Sequence, residues 1–300
     1  MTHAQETDVL IIGGSYAGLA AAMALGRALR RVVVLDSGRP CNRQTPHSHN
    51  FLTQDGQTPA AIRARALEQV LRYPTVQIIA AEAMTAKATP SGFAVGTVDG
   101  QQFVAQKMIL ATGIEDLLPE LPGLTECWGI SVLHCPYCHG YEVHGQPLGV
   151  LNNGDAGFMQ ARLIRNWTPN LTLFTNGPAT LTETQVQQLQ QQKIAIEEAP
   201  VLAVQHTHGY MRGLKLANGT EFPLTALFTH VPFRQHSALS AQLGCQLTPA
   251  GHLEVDDWQK TSVPGVYAAG DATTPMRSVA NAVAAGNRAG AFVNHELLRL

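Results

Sequence analysis

Asp8–Asp36 reads DVLIIGGSYAGLAAAMALGRALRRVVVLD, and its periodicity changes twice along the way. Asp8–Ile12 is an apolar strand, Gly13–Gly18 is a glycine turn, and Ala17–Arg30 has helical character. On that helix Leu19, Met23, Gly26 and Leu29 recur at near-helical intervals, so one face can lie against a sheet. Val32–Leu35 is then a second strand, ending in Asp36. A turn of this kind brings backbone N–H groups and the positive end of a helix dipole up to a pyrophosphate. An acid about twenty residues further on can accept hydrogen bonds from ribose hydroxyls. Ser15 stands where a second glycine usually sits, and it is small enough to let a phosphate approach. The stretch predicts a β-α-β dinucleotide site held by Gly13, Gly14, Ser15, Gly18 and Asp36.

Two distant segments extend that site. Lys107–Gly113 (KMILATG) is a strand running into a small-residue turn at Thr112 and Gly113, and Val263–Asp271 (VPGVYAAGD) is another, ending in Gly270 and Asp271. A long helix, Val279–Leu298, follows and presents its N-terminus, at Val279 and Ala280, to a phosphate or a flavin carbonyl. A glycine turn near the start, an Ala-Thr-Gly at about one third and a strand-Gly-Asp-helix at the end resemble the two-dinucleotide-domain flavoprotein reductases. The resemblance implies an α/β fold of two Rossmann-like domains, the second inserted in the first. It divides the chain into 1–114 with 250–300 as an FAD-binding domain and 115–249 as the insertion. It also implies FAD as cofactor, with Asp271 at the ribityl and pyrophosphate region and Gly13, Gly18 and Asp36 at the adenosine half.

Composition agrees with a compact enzyme. The chain has 300 residues, 45% of them hydrophobic and 14% charged, which suits two ordinary cores and argues against disorder. Its formal net charge is −2 and no Lys/Arg-rich run occurs, so a nucleic-acid partner is not expected. The first residues, MTHAQETDVLIIGG, lack a basic region followed by a long apolar stretch. Neither a signal peptide nor a membrane span is expected, and the location predicted is cytoplasmic.

Five cysteines are too few for a disulfide framework. Cys41, Cys127 and Cys245 stand alone and read as small buried or semi-buried thiols. Cys135 and Cys138 form a C-x-x-C within SVLHCPYCHGYEVHG (131–145). That spacing means redox chemistry or a metal. As a redox pair, the thiols can close a disulfide that stores two electrons, and one thiol can ionise below its ordinary pKa. His134, His139 and His144 surround the pair, and an imidazole can carry the proton that thiol exchange moves. Zinc, the alternative, wants four ligands, and the chain has no second C-x-x-C; His139 directly follows Cys138 and could hardly ligate beside it. No metal is expected.

The pair lies just past the Ala-Thr-Gly segment, which resembles the low-molecular-weight thioredoxin reductases. By that resemblance Cys138 is the flavin-proximal thiol, Cys135 the interchange thiol, and His139 occupies the position of the family's proton-donating acid. A small thiol or disulfide, or a thioredoxin-like protein, is the partner implied, and a homodimer the assembly.

The expected second domain carries strands at Pro147–Asn152 and Leu171–Thr175 and helices at Asp155–Trp167 and Thr182–Lys193, the last opening on a T-x-x-Q capping pattern. A hairpin is expected around Asn218-Gly219. In the reductases this domain binds NADPH, and here its signals are eroded. The turn reads Asn152-Asn153-Gly154-Asp155-Ala156-Gly157, with Asn152 in place of the first glycine. The family's histidine and arginine pair for the 2′-phosphate is replaced by Phe174-Thr175-Asn176-Gly177, which offers no charge-assisted partner. Val231-Pro232 replaces a glycine-bearing turn, and Val279-Ala280-Asn281 replaces an Arg-Gln-Ala. These departures resemble the flavin-dependent dithiol oxidases of the gliotoxin and holomycin type. The function expected is oxidation of thiols to disulfides, with electrons passing through FAD to oxygen or another partner that is not NADPH. An NAD(P)H-dependent disulfide reductase and a redox sensor that does not turn over remain alternatives.

Overall fold

The computed structural model describes residues 4–298, which fall into two compact units. The chain begins with β1 (Gln5–Ile12), α1 (Tyr16–Arg27) and β2 (Val32–Asp36), the β-α-β unit expected. Then come α2 (Pro59–Val70), β3 (Val76–Ala80), the hairpin β4 (Ala83–Thr89) and β5 (Gly92–Thr97), β6 (Gln102–Leu110) and the short β7 (Ile114–Asp116). The second unit runs through α3 (Leu124–Cys127), β8 (Val132–Leu133), α4 (Pro136–His139), β9 (Leu148–Leu151), α5 (Gly154–Ile164), β10 (Leu171–Phe174), α6 (Glu183–Gln191) and β11 (Ala195–Glu197). It closes with β12 (Val201–Thr207), β13 (Tyr210–Leu216), β14 (Glu221–Pro223) and β15 (Ala226–Thr229). The chain then returns through β16 (Phe233–Gln235), which pairs with β7, to α7 (Leu239–Leu243), β17 (Val266–Ala268) and α8 (Val279–Leu297).

In the first unit the strand order is β3-β2-β1-β6-β5-β4, with β17 also on β6. The strands from β3 to β6 and β17 are parallel, and β4-β5-β6 are antiparallel. One edge of β6 is shared: Phe103–Ala105 faces β5, and Met108–Leu110 faces β17. Val9 and Ile11 enter one core and Leu10 and Ile12 the other, so β1 is buried on both faces, as a central parallel strand must be. α8 lies hard against α1. A Cβ on Gly286 would fall 2.0 Å from the Ala17 carbonyl oxygen, and one on Gly290 2.7 Å from that of Ala21. Only glycine lets the two backbones approach so closely.

The second unit has a parallel sheet, β11-β10-β9-β15-β8, and a separate antiparallel sheet, β12-β13-β14. Gly219, at φ +86°, turns the chain from β13 to β14, where the hairpin was expected. At α6 the Thr182 side chain accepts from Gln185 N–H and the Gln185 side chain accepts from Thr182 N–H, the capping box read from T-x-x-Q.

The expected boundaries meet two differences. The chain rejoins the first unit at Phe233, not at residue 250. The physical reason is α7, where the Gln242 amide donates to Met84 O at 3.0 Å and accepts from Ala86 N–H at 2.8 Å, and Leu239 is buried in the core beneath. In addition, Gln44–His49 groups with the second unit, although it lies in the middle of the first in sequence.

Candidate active site

The register of the first sheet assembles the dinucleotide cradle. Ile12 pairs with Leu35 on one side and Leu110 on the other, and Leu110 pairs with Ala268. The residues that follow each strand, Gly13, Asp36, Thr112 and Gly270, therefore meet at the carboxyl edge of the sheet. β1 is the switch point, with neighbours departing on both sides, which is where open α/β sheets bind ligands. Gly13 sits at φ +106°, and a Cβ there would fall 2.2 Å from Ala111 O; a Cβ on Gly18 would fall 1.8 Å from Gly13 O. No residue with a side chain fits either position. Ser15 is the N-cap of α1, yet its side chain makes no capping hydrogen bond. The first N–H groups of α1 thus point past a small residue and are available to an anion.

The Asp36 carboxylate lies over this turn. It accepts from Gly38 N–H at 3.2 Å and forms an ion pair with Arg63 at 2.5 Å. Asp271 follows Gly270, itself at φ +85°, and receives the Cys41 thiol at 3.4 Å and the Arg277 guanidinium at 3.8 Å. Val279 and Ala280 open α8, as expected, but Ser278 caps that helix by accepting from Asn281 N–H at 3.1 Å. One donor of the α8 terminus is therefore already used.

The cysteine pair lies in the second unit, on a feature not read from the sequence. Pro136–His139 forms a single helical turn, with Cys135 as N-cap and Pro136 at the first helical position, where its fixed φ and missing N–H cost nothing. Cys138 N–H donates to Cys135 O at 3.3 Å, and Gly140 N–H to Pro136 O at 2.7 Å. Tyr137 meets Trp167 edge-on, with centroids 5.6 Å apart, which pins the outer face of the turn. His139 closes the turn directly after Cys138. Burial holds its pKa below the ordinary histidine value; the Glu142 carboxylate opposes that shift and His49 adds to it. His49 Nε2 and Glu142 Oε1 are 3.4 Å apart, so the Gln44–His49 segment reaches the cysteine loop through this pair. His144 stacks on Tyr141, with ring centroids 4.9 Å apart, and His134 lies beside Trp128 at 6.1 Å. Of the other thiols, burial raises the pKa of both Cys127 and Cys245, which suits inert packing. Among the described residues, no group of three or more His, Cys, Asp or Glu is placed to hold a metal ion, and no helix is long and apolar enough to cross a membrane.

The second Rossmann-like turn is built differently from the first. β1 ends at Ile12 and α1 begins at Tyr16, whereas β9 ends at Leu151 and α5 begins at Gly154, so the helix starts one residue sooner after its strand. Asn152, which stands in place of the first glycine, does not adopt positive φ; its side chain accepts from Asn153 N–H at 2.9 Å and donates to Gln160 at 3.1 Å. Asn153 plugs the turn. Its side-chain oxygen accepts from Gly154 N–H at 2.8 Å, from Thr180 N–H at 2.9 Å and from the Thr180 hydroxyl at 3.2 Å. Its amide nitrogen donates to Pro178 O at 2.9 Å and Thr175 O at 3.2 Å. Asp155 adds a negative charge in the first helical turn and is held by Gln185 at 2.7 Å. At the end of β10, the Thr175 hydroxyl donates to Gly177 O at 2.7 Å and Asn176 accepts from Val201 N–H at 2.8 Å.

Residues 7–286 match the profile of the pyridine nucleotide-disulphide oxidoreductases. The chain belongs to that family. Within it, the sequence is 34% identical to the thioredoxin reductase tcpT of Claviceps purpurea, over 99% of this chain and 96% of that protein. Its fold matches the crystal structure of an oxidoreductase from Agrobacterium tumefaciens at a TM-score of 0.92 and 37% identity, covering 98% of this chain and 99% of that one. It matches the crystal structure of HlmI at a TM-score of 0.93 and 34% identity, covering 100% and 95% respectively. The thioredoxin reductase-like α/β architecture is thus established, and the chain is an oxidoreductase of the pyridine nucleotide-disulphide family.

Members of this family generally bind FAD, and the first cradle fits a dinucleotide: Gly13 and Gly18 admit no side chain, and the helix terminus is not capped by Ser15. The sequence reading missed Arg63, the clamp made by Asn153 and the His49–Glu142 pair. Only the second had a local signal, because an asparagine just before a helix is a strong N-cap.

Proposed function

We propose that the protein is an FAD-dependent thiol–disulfide oxidoreductase that oxidises small thiols to disulfides and does not draw electrons from NADPH. One observation carries this reading. The turn at β9–α5, where the family places a pyridine nucleotide, is filled by the Asn153 side chain and flanked by Asp155, with no basic residue from Asn152 to Leu163 except Arg162 at the far end of the helix. A pyrophosphate there would have to displace Asn153 from its bonds and lie against a carboxylate. In the first cradle, in the same chain, no side chain caps the helix terminus, and the carboxylate beside the turn, Asp36, is paired with Arg63.

FAD would be held by Gly13, Gly14, Ser15, Gly18, Asp36, Thr112, Gly113, Gly270 and Asp271, with Val279 and Ala280 at the start of α8. When bound, it supplies a two-electron acceptor for the reduced cysteine pair and can be reoxidised by oxygen. The thiol chemistry belongs to this chain's own residues. A substrate thiolate attacks Cys135 Sγ of the oxidised pair; the Cys135–Cys138 bond breaks, and Cys138 leaves as thiolate. A second substrate thiol, giving its proton to His139 Nδ1 or Nε2, attacks the mixed disulfide and releases Cys135 as thiolate. The substrate leaves oxidised, and the pair has gained two electrons. A neutral His139 suits this role, and its burial favours the neutral form.

Relatives named as thioredoxin reductases keep the NAD(P)H-dependent reductase as the competing reading. An anaerobic titration of the yellow protein, following flavin absorbance, separates the two. Bleaching by a small dithiol, reversed by air and lost in Cys138→Ser, is the expected outcome. Rapid bleaching by NADPH would restore the reductase reading.

A further inference from the structure

Asp36 does not face the glycine turn on its own. Arg63, on α2, places Nη2 2.5 Å from Asp36 Oδ2, while Gly38 N–H lies 3.2 Å from Oδ1. Both side chains are largely shielded, at 13% exposure for Asp36 and 31% for Arg63. An ideal Cβ on Gly14 would fall 2.8 Å from Asp36 Cγ and 2.9 Å from Oδ2, so the carboxylate rests directly on the turn. α2 is brought there by its own contacts: Thr58 caps it, the Tyr16 hydroxyl donates to Pro59 O at 3.2 Å, and Ile62 is buried beneath. The guanidinium is therefore delivered by the fold and not by the ion pair.

We propose that Arg63 is a positioning residue for the adenosine half of the cofactor, acting through Asp36. An ionised carboxylate offers about four lone-pair sites. Gly38 and Arg63 occupy one on each oxygen, which leaves one on each for the two adjacent ribose hydroxyls. Without Arg63 the carboxylate is free to rotate, and its charge stands uncompensated beside the place where a pyrophosphate arrives. Arg63 thus does two things: it sets the plane of the acceptor, and it cancels a repulsion between Asp36 and the ligand's own phosphates. Nothing in the glycine fingerprint specifies such a residue, because it comes from a helix outside the β-α-β unit.

This inference rests on the FAD reading, and the experiment keeps the two apart. Flavin-stripped protein is titrated with FAD, following quenching of flavin fluorescence, for wild type, Arg63→Gln, Asp36→Asn and the double variant. Arg63→Gln is expected to weaken FAD about tenfold, the scale of one lost charge-assisted hydrogen bond. In the Asp36→Asn background the same change is expected to add no further loss, because Arg63 acts only through the carboxylate. The melting temperature of the stripped protein should stay within a few degrees, since α2 is docked by apolar contacts; a purely structural ion pair would move the melt and leave FAD affinity alone. Arg63→Lys, which keeps the charge but not the planar fork, should restore part of the affinity and serves as the reporter if Arg63→Gln does not fold. Unchanged FAD binding in Arg63→Gln, or losses that multiply in the double variant, would overturn the inference alone. Failure of the wild-type protein to take up FAD would overturn the cofactor reading and this inference with it.

Discussion

Replacing Asn153 by alanine tests whether the second turn is held shut by a side chain. The Asn153 side chain makes five hydrogen bonds, but they are not equal. Thr180 and Pro178 are exposed, so water replaces the lost partner on that side and the net cost is small. Thr175 is buried and Gly154 N–H belongs to the first turn of α5, so losing these two bonds leaves backbone groups short of partners. At about 1 kcal/mol for the cap and about 1–2 kcal/mol for the stranded Thr175 carbonyl, the variant should lose roughly 2–3 kcal/mol. For a unit of this size that is a fall of roughly 8–15 °C in the transition that reports the second unit. Differential scanning calorimetry, or proteolysis within Gly154–Gly177 on mild heating, would read it. A loss below about 0.5 kcal/mol would refute the clamp, since that is what an ordinary surface substitution costs. Bleaching of the flavin by NADPH, gained in Asn153→Ala or Asn153→Gly, would show that the side chain alone excluded the nucleotide; the acidic first turn and the missing cations predict that it is not gained.

Two further outcomes follow from the same geometry. Gly286→Ala should destabilise the first unit by about 3 kcal/mol or more and Gly290→Ala by about 1 kcal/mol, because the first places a methyl against backbone at 2.0 Å and the second at 2.7 Å; urea denaturation monitored by tyrosine and flavin signals would rank them, and equal losses would contradict the close α1–α8 packing. Glu142→Gln removes the charge that pulls the His139 pKa up against burial, so the pKa falls further below its ordinary value. The neutral base then persists to lower pH, and the acid limb of the thiol-oxidation rate should move to lower pH, read by stopped-flow flavin bleaching across a buffer series. For stability the sign is opposite in character: the folded pKa lies below the unfolded one, so as pH falls through the unfolded value the unfolded chain takes a proton that the native state refuses, and stability drops.

What the sequence made legible was whatever is written locally. The strand-turn-helix at Asp8–Asp36 appears at its expected place because short apolar runs, glycines and a helical stripe all lie within one continuous stretch. The α6 capping box and the Asn218-Gly219 hairpin were legible for the same reason. The assembled cradle was legible only through resemblance, since the pairing of Ile12 with Leu110, and of Leu110 with Ala268, joins segments with no local sign of each other. The re-entry at Phe233 was not legible at all. It depends on Gln242 meeting Met84 and Ala86, a match between a side-chain amide and a sheet edge that leaves no periodic trace. Arg63 was hidden similarly: on an amphipathic helix it reads as a solvated arginine, and only the docking of α2 turns it toward Asp36.

The chain holds two versions of one supersecondary unit, and comparing them shows what the glycine pattern does and does not encode. Both have a parallel strand, a tight turn and a helix, and both keep the glycine that lets the helix lie on the strand: Gly18 against Gly13 O, and Gly157 against Asn152 O. That glycine is required by packing alone, whatever binds. The difference lies in the residues at the turn itself. In the first unit Gly13 takes positive φ and Ser15 leaves the helix terminus uncapped, so the exposed donors can be satisfied only from outside the chain. In the second, Asn153 satisfies the turn from inside, through bonds that also hold the loop at Pro178–Thr180. Backbone donors at a helix terminus must find acceptors somewhere, and evolution of a capping side chain gives them one without a ligand. Loss of nucleotide binding therefore need not erode the fold; it can stabilise it. On the proposed function, the same argument gives a reason to retain a whole nucleotide-type domain: the domain still carries the cysteine turn at α4, and the bonds of Asn153 hold its second turn from within the chain.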